Sequence, residues 1–208
     1  MTATQSMEGP RQGLPSANRS SAMPATPRPM DSRPTASSTA VPERSAARSA
    51  LALVLLLVIA SGAAALGSVL SAPGIAGWYA ETPKPMWTPP DAVFAPVWTV
   101  LYALMSVAAW LVWRRPDSLA RTRALRVYAV QLGLNAVWSP AFFGLGALLG
   151  APGAWVALVV IVVLDFAILA TMIRFGDVSR LAATLLVPYW VWALFATTLN
   201  AAIAVLAR

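Results

Sequence analysis

Tryptophan, tyrosine and a few amides are the side chains that could carry chemistry in this chain, because its 208 residues include 9 Trp and 4 Tyr but no Cys and no His. Without Cys and His the chain can form neither a disulfide nor a thiolate or imidazole metal site, and we expect no metal. A serine triad lacks its base for the same reason, and the sequence contains no Gly-rich phosphate loop. What remains are aromatic faces that stack on flat ligands and amides that form directed hydrogen bonds.

These side chains align on helical faces when the sequence is projected at about 100° per residue. One apolar segment places four of them within a stripe about 60° wide: Gln131, Asn135, Trp138 and Phe142. Two other segments carry comparable stripes, namely Trp98, Tyr102, Met105 and Ala109, and Tyr189, Trp192, Ala196 and Leu199. Three helices thus each offer an aromatic with polar or small residues along one line, which suits a ligand site. For any single tryptophan, ordinary core or membrane-interface packing is the favoured alternative.

The elements that position these stripes are predicted membrane spans. The chain is 58% hydrophobic and 11% charged, with a mean hydropathy of +0.67, so it has too little polar surface to cover a soluble globule. Crossing about 30 Å of hydrocarbon takes about 20 helical residues. Five apolar runs meet that length, at about 50–70, 92–113, 124–145, 154–173 and 181–206. The sequence therefore predicts an all-α integral membrane protein, a five-transmembrane-helix bundle with a disordered N-terminal tail.

Residues 1–47 form the predicted tail, which is rich in Ser, Pro and Arg and poor in large apolar residues. Such a composition buries too little surface to offset the entropy lost on ordering. An organelle transit peptide is one alternative, and a signal sequence in the first apolar run is another. Glu8, Asp31, Glu43 and several prolines oppose the first, and the length of the apolar run opposes the second. We interpret residues 48–208 as the membrane domain.

The distribution of arginine predicts the orientation in the membrane. Positive residues near helix ends stay on the cytoplasmic side, and three segments that share one face carry them: Arg44 and Arg48; Arg114, Arg115, Arg121 and Arg123; Arg174 and Arg180. We therefore predict a cytoplasmic N-terminus in an inner or plasma membrane. The net charge of +7 fits anionic lipid headgroups, and no nucleic-acid-binding module is visible.

A proline- and tryptophan-rich segment precedes the second apolar run and begins a series of recognisable motifs. In order, the motifs are Trp87-Thr88-Pro89-Pro90, Pro96-Val97-Trp98-Thr99, Gln131-Leu132 with Leu134-Asn135 and Trp138, and Pro188-Tyr189 with Trp192 and Phe195-Ala196-Thr197-Thr198-Leu199-Asn200. Together they resemble the TspO/MBR family of translocator and tryptophan-rich sensory proteins. The resemblance covers about residues 51–200.

The resemblance implies a five-helix bundle, often dimeric, that binds porphyrins and other tetrapyrroles as a sensor, carrier or regulator. It implies no intrinsic cofactor, and protoporphyrin IX or a haem-like tetrapyrrole would be the ligand. The family's pocket positions correspond here to Tyr79, Trp87, Trp98, Asn135, Trp138, Phe142, Trp192 and Ala196. The cholesterol motif of animal members is absent, since Ala201-Ala202-Ile203-Ala204 follows Asn200.

Two other functions stay open at this point. One is a porphyrin-degrading enzyme that depends on light or oxygen, with Trp98 and Trp192 as redox or radical participants. The other is a bundle that acts only through protein partners. A face of small residues on the third helix, including Ala129, Gly133 and Ala136, is suited to close approach within or between subunits and favours a homodimer.

Asp165 is the one acid within a predicted span. An intramembrane carboxylate is a candidate functional group, and a protonated form or a hydrogen bond to a neighbouring helix is the structural alternative. We assign the residue to no family position, so it stays outside the predicted site.

Overall fold

The computed structural model describes residues 45–207, and within that range the chain forms five long helices and no strand. They are α1 (Ala46–Tyr79), α2 (Asp91–Trp113), α3 (Leu119–Leu149), α4 (Ala151–Gly176) and α5 (Arg180–Leu206), each long and apolar enough to cross a membrane. The predicted five-helix bundle is confirmed. The predicted tail falls outside the described residues except for its last three, of which two already belong to α1.

All five helices are longer than the apolar runs that predicted them, and the difference is largest for α1 and α3. α1 was expected to end near Leu70, where Pro73 and Gly74 follow, but it continues to Tyr79. In lipid, neighbouring helices and local changes of helix geometry satisfy the backbone groups that a proline releases. α3 begins at Leu119 because Ser118 caps it, accepting a hydrogen bond from the backbone N–H of Arg121 at 3.1 Å. The apolar run excluded this first turn because of its arginines.

Two helices change geometry just after a proline. α1 contains Pro73 and then a π-helical turn, Ile75–Tyr79, and α3 contains Pro140 and then a π-helical turn, Ala141–Leu145. Proline has no N–H, and its ring clashes with the carbonyl four residues earlier, so the regular hydrogen-bond ladder is interrupted there. The wider π-helical turn changes the side of the helix on which the following side chains lie.

The two π-helical turns pack against each other. Gly74 lies so close to α3 that a Cβ atom at this position would overlap with the carbonyl group of Phe143. The rings of Tyr79 and Phe143 meet edge to face with their centroids 5.1 Å apart. One turn earlier, the hydroxyls of Ser71 and Ser139 are hydrogen-bonded at 2.8 Å. Backbone contact, aromatic packing and a hydrogen bond therefore join α1 to α3 at one level of the bundle.

A single residue reverses the chain between α3 and α4. Gly150 has a φ of 65°, in the left-handed region that favours glycine, and its N–H donates to the carbonyl of Gly146 at 2.8 Å. The predicted tight turn is therefore present, and α3 and α4 pack against each other as an antiparallel pair.

The apolar core lies where α2, α3, α4 and α5 meet, and α1 packs against its side. The fully buried side chains at its centre include Met105, Val112, Ile161, Leu164, Ile168 and Tyr189. Large apolar side chains on the outside remain exposed, among them Val58, Val69 and Phe166. An apolar outer surface is expected of a bundle that faces lipid.

We predict that Gly74→Ala lowers the free energy of unfolding by about 1–3 kcal/mol, because the added methyl group would force α1 away from the backbone of Phe143. Gly62→Ala is the matched control, since a Cβ there meets nothing within 4 Å. It should leave stability unchanged or raise it by about 0.5–1 kcal/mol through helix propensity. Thermal unfolding in detergent measures both variants, and equal midpoints would contradict the close contact.

Candidate ligand-binding cavity

A cavity of about 710 Å³ lies between α1, α2, α3 and α5. Its lining is mostly apolar and aromatic, and Asp91, at the start of α2, is the one charged side chain in it. The aromatic members of the lining are Tyr79, Phe94, Trp98, Tyr102, Trp138, Phe142 and Phe143. A concave apolar space with a few directed polar groups is the usual form of a small-molecule site.

Three aromatic rings form one continuous wall. Trp138 and Phe142, one turn apart on α3, are stacked with an interplanar angle of 20° and centroids 6.1 Å apart. Trp98 of α2 continues the wall, with its centroid 6.2 Å from that of Trp138. The i, i+4 spacing on α3 places the two rings on the same face, as the predicted stripe required.

The π-helical turns supply the aromatic side chains at one end of the cavity. Tyr79 meets Phe142 at a centroid distance of 6.1 Å, and the ammonium group of Lys84 lies 4.5 Å above the Tyr79 ring. Trp78 also packs edge-on against Phe142, at 5.7 Å. The first loop, residues 80–90 between α1 and α2, therefore contacts the cavity lining through Lys84 above Tyr79.

A hydrogen-bond network lies at the polar side of the cavity and joins three helices. The Tyr102 hydroxyl donates to Oδ1 of Asn135 at 2.6 Å, and Nδ2 of Asn135 donates to the Tyr189 hydroxyl at 2.7 Å. Nε2 of Gln131 donates to the same hydroxyl at 2.8 Å. Tyr189 is fully buried, so these bonds are protected from solvent. Of the four residues, Asn135 and Tyr102 reach the lining.

A second amide fixes the orientation of Trp138. The Trp138 indole Nε1 donates to Oδ1 of Asn200 at 3.3 Å, and Nδ2 of Asn200 donates to the carbonyl of Ala154 at 2.9 Å. Asn200 is buried and lines the cavity. The residue was absent from the predicted site, although an asparagine inside an apolar segment is a signal that could have found it.

Six of the eight predicted site residues line this cavity: Tyr79, Trp98, Asn135, Trp138, Phe142 and Ala196. Trp87 does not line it. Its side chain is 56% exposed and borders a separate shallow groove against the end of α5, with Ala201 and Val205. Trp192 does not line it either; its ring lies edge-on to that of Phe94, which does line the cavity, with the two centroids 5.8 Å apart.

The contribution of α1 was not predicted. Small residues of α1 line the cavity, including Ser61, Ala64, Gly67 and Ser68. They carry no aromatic or charged group, so neither the stripe analysis nor the family motifs identified them. Within residues 45–207, no group of three or more acidic, His or Cys residues could hold a metal ion.

The fold and the cavity define a multi-pass membrane protein whose helices enclose an aromatic-lined space. The model of the TspO/MBR family matches residues 53–206. The chain is 39% identical over 152 residues to the tryptophan-rich protein TspO of Archaeoglobus fulgidus, covering 72% of this chain and 91% of that protein. It is 40% identical over 149 residues to a tryptophan-rich sensory protein of Cereibacter sphaeroides, covering 72% and 87%.

The human translocator protein is 41% identical to this chain over 125 residues, covering 59% of this chain and 70% of that protein. The region that the family model matches, residues 53–206, contains every residue of the cavity lining, from Leu57 to Ile203. The chain therefore belongs to the TspO/MBR family.

We predict that Tyr189→Phe lowers the free energy of unfolding by about 1–3 kcal/mol, because it leaves the amide donors of Gln131 and Asn135 without an acceptor. Tyr128→Phe is the matched control, since the Tyr128 hydroxyl is buried with no partner among the described residues. Its removal should cost nothing or raise stability. Thermal unfolding of the two variants compares them, and an equal loss would argue against the network.

Proposed function

We propose that this protein binds a tetrapyrrole, such as protoporphyrin IX or a haem-like macrocycle, in the aromatic cavity. The observation that carries the proposal is the wall formed by Trp98, Trp138 and Phe142 in a cavity of about 710 Å³. Small-molecule pockets span roughly 300–1,000 Å³, and aromatic faces favour flat, apolar ligands. The volume and the lining both suit a macrocycle.

The polar groups of the cavity would orient such a ligand. Asn135 uses one amide hydrogen and one oxygen lone pair in the bonds described, so it retains one donor and one acceptor position. Its side chain is held in place by two tyrosines on different helices. A fixed amide beside an aromatic wall supplies direction to a binding site that is otherwise apolar.

We propose a role as a sensor, carrier or regulator in tetrapyrrole and stress responses, and the names of two relatives support the sensor or carrier part of it. One is called a sensory protein and another a translocator protein. The alternative of a porphyrin-degrading enzyme assigned chemistry to Trp98 and Trp192 together. Only Trp98 lines the cavity, so the geometry favours binding over a reaction that uses both rings.

We infer that the protein forms a homodimer in the bilayer through the small face of α3. Ala129 and Gly133 are exposed, and a Cβ on Gly133 would meet nothing within 4 Å. Ala136 of the same face instead packs toward Gly67 of α1 within the subunit. Small exposed residues permit close approach of a second helix in lipid.

We also propose that the N-terminus is cytoplasmic. Arg48 at the start of α1, Arg114 and Arg115 after α2, and Arg180 at the start of α5 belong to the three segments that share one face of the bundle. Arginine concentrated on one side sets orientation through the positive-inside rule.

Trp138→Ala should weaken protoporphyrin IX binding by about 1–3 kcal/mol, because it removes one ring from the aromatic wall. Trp155→Ala is the matched control: Trp155 lies on α4, is partly exposed and does not line the cavity.

Asn135→Leu should also weaken binding, and Ala129→Leu on the opposite side of α3 should leave it within a few-fold. Absorbance titration in darkness gives the affinities.

Repeating the titration in light distinguishes the three functions. Binding without a new product supports a sensor or carrier, whereas a light-dependent product supports the degrading enzyme. If the folded protein does not bind the porphyrin at all, the tetrapyrrole proposal is wrong and a partner-binding bundle takes its place. Equal losses in Trp138→Ala and Trp155→Ala would show that the cavity is not the binding site.

Gly133→Leu should shift the detergent-solubilised protein toward the monomer, because the larger side chain prevents close approach of a second α3. Gly62→Leu on α1 is the control, since its position is equally open. Light scattering measures the mass of both. An unchanged mass in Gly133→Leu would exclude this face as the dimer contact.

A further inference from the structure

Asp165 lies midway along α4 in a buried position that the cavity does not use. Its side chain is 8% exposed, and it is absent from the cavity lining. Oδ2 of Asp165 lies 2.8 Å from the hydroxyl oxygen of Thr197 on α5. Oδ1 is buried and has no hydrogen-bond partner in the described part of the chain. The carboxyl group therefore makes one hydrogen bond, whereas a buried carboxylate anion needs several to offset its desolvation.

Among residues 45–207, no cation is placed to neutralise a carboxylate at this position. Arg174, the other charged residue of α4, is nine positions away, roughly 14 Å along the helix axis. The helices packed against α4 are α3 and α5, and their charged residues lie in the first turns: Arg121, Arg123 and Arg126 of α3, and Arg180 of α5.

The tyrosines of these helices do not reach Asp165 either. Tyr189 is bonded to Gln131 and Asn135, and the hydroxyl of Tyr128 has no hydrogen-bond partner among the described residues. An unpaired carboxylate inside an apolar bundle carries a large desolvation cost, and such a group is neutralised by taking up a proton.

The protonated form of Asp165 also accounts for both short contacts of the Thr197 hydroxyl group. The Thr197 hydroxyl oxygen lies 3.0 Å from the carbonyl oxygen of Ala193 as well as 2.8 Å from Asp165, but a hydroxyl has one hydrogen. If Asp165 is protonated, its Oδ2–H donates to Thr197, and Thr197 donates to Ala193. Both short contacts are then hydrogen bonds. Oδ1 becomes a neutral carbonyl oxygen, which costs less to leave unpaired than an anionic one.

We propose that Asp165 is an intramembrane proton-binding site, which holds a proton at neutral pH and in that form hydrogen-bonds α4 to α5 through Thr197. The proposal is independent of the ligand and of the tetrapyrrole function. Loss of the proton to alkaline solvent places an anion between the two helices and weakens their contact. Ala196, the neighbour of Thr197, lines the cavity, so this contact supports one wall of the binding site.

Infrared spectroscopy of the full chain in lipid bilayers tests the proposal directly. At neutral pH we expect a carbonyl-stretch band of a protonated carboxylic acid that shifts when aspartate is labelled with 13C at its side-chain carboxyl. The band should disappear in Asp165→Asn and as the pH is raised. Asp177→Asn, at an exposed position in the loop after α4, is the control and should keep the band.

Absence of a label-sensitive acid band at neutral pH, or its persistence in Asp165→Asn, would overturn the proposal. If Asp165→Asn does not fold, a variant with Asn at the positions of the other four aspartates, Asp31, Asp91, Asp117 and Asp177, decides the matter. It keeps the band if Asp165 is the source and loses it otherwise.

Thermal unfolding gives a second readout with a defined sign. A group that binds its proton more tightly in the folded state stabilises the protein at low pH and loses that contribution as pH rises. The unfolding midpoint of the wild-type protein should therefore fall toward alkaline pH. Asp165→Asn should lack this part of the decline, because its amide donates to Thr197 at every pH. Parallel pH profiles of the two proteins would contradict the proposal.

Discussion

The hydroxyl group of Tyr189 is the point on which the arrangement of α2, α3 and α5 depends. It accepts hydrogen bonds from Gln131 and Asn135, and Asn135 accepts one from Tyr102. Lipid offers no partners to polar side chains, so each of these groups must find one inside the bundle. Few relative positions of the three helices satisfy all three bonds. The network thus fixes the register of the helices, and the aromatic wall follows from that register.

The end of the cavity near the first loop depends on a different constraint, which is irregular helix geometry. Pro73 and Pro140 each precede a π-helical turn, and the two turns meet where Gly74 allows backbone contact. A straight α1 and α3 would present different faces beyond the prolines. The turns bring Tyr79 and Phe142 into edge-to-face contact. Two sequence features that interrupt helices in water therefore shape a binding surface here.

The sequence predicted the walls of the cavity where large side chains repeat with the helical period. Trp98 on α2, and Asn135, Trp138 and Phe142 on α3, could be placed because their spacing puts them on one face. The wall from α1 could not, since small residues leave no periodic signal. Trp87 carried a motif signal, and Trp192 carried both a motif and a stripe signal, yet neither lines the cavity. An aromatic residue near a cavity packs equally well beside it, and only tertiary structure separates the two cases. Helix ends were missed where capping serines and interior prolines decided them.

α5 lies between the cavity and the buried Asp165, and two consecutive residues of the helix contact one each. Ala196 faces the cavity, and Thr197, about 100° further around the helix, faces Asp165 of α4. A tilt or rotation of α5 that changes one contact must therefore change the other. The two sides differ in chemistry, because the cavity presents open polar positions at Asn135 whereas Asp165 is closed off from the cavity. A proton on Asp165 and a ligand in the cavity would thus act on the same helix from two different sides.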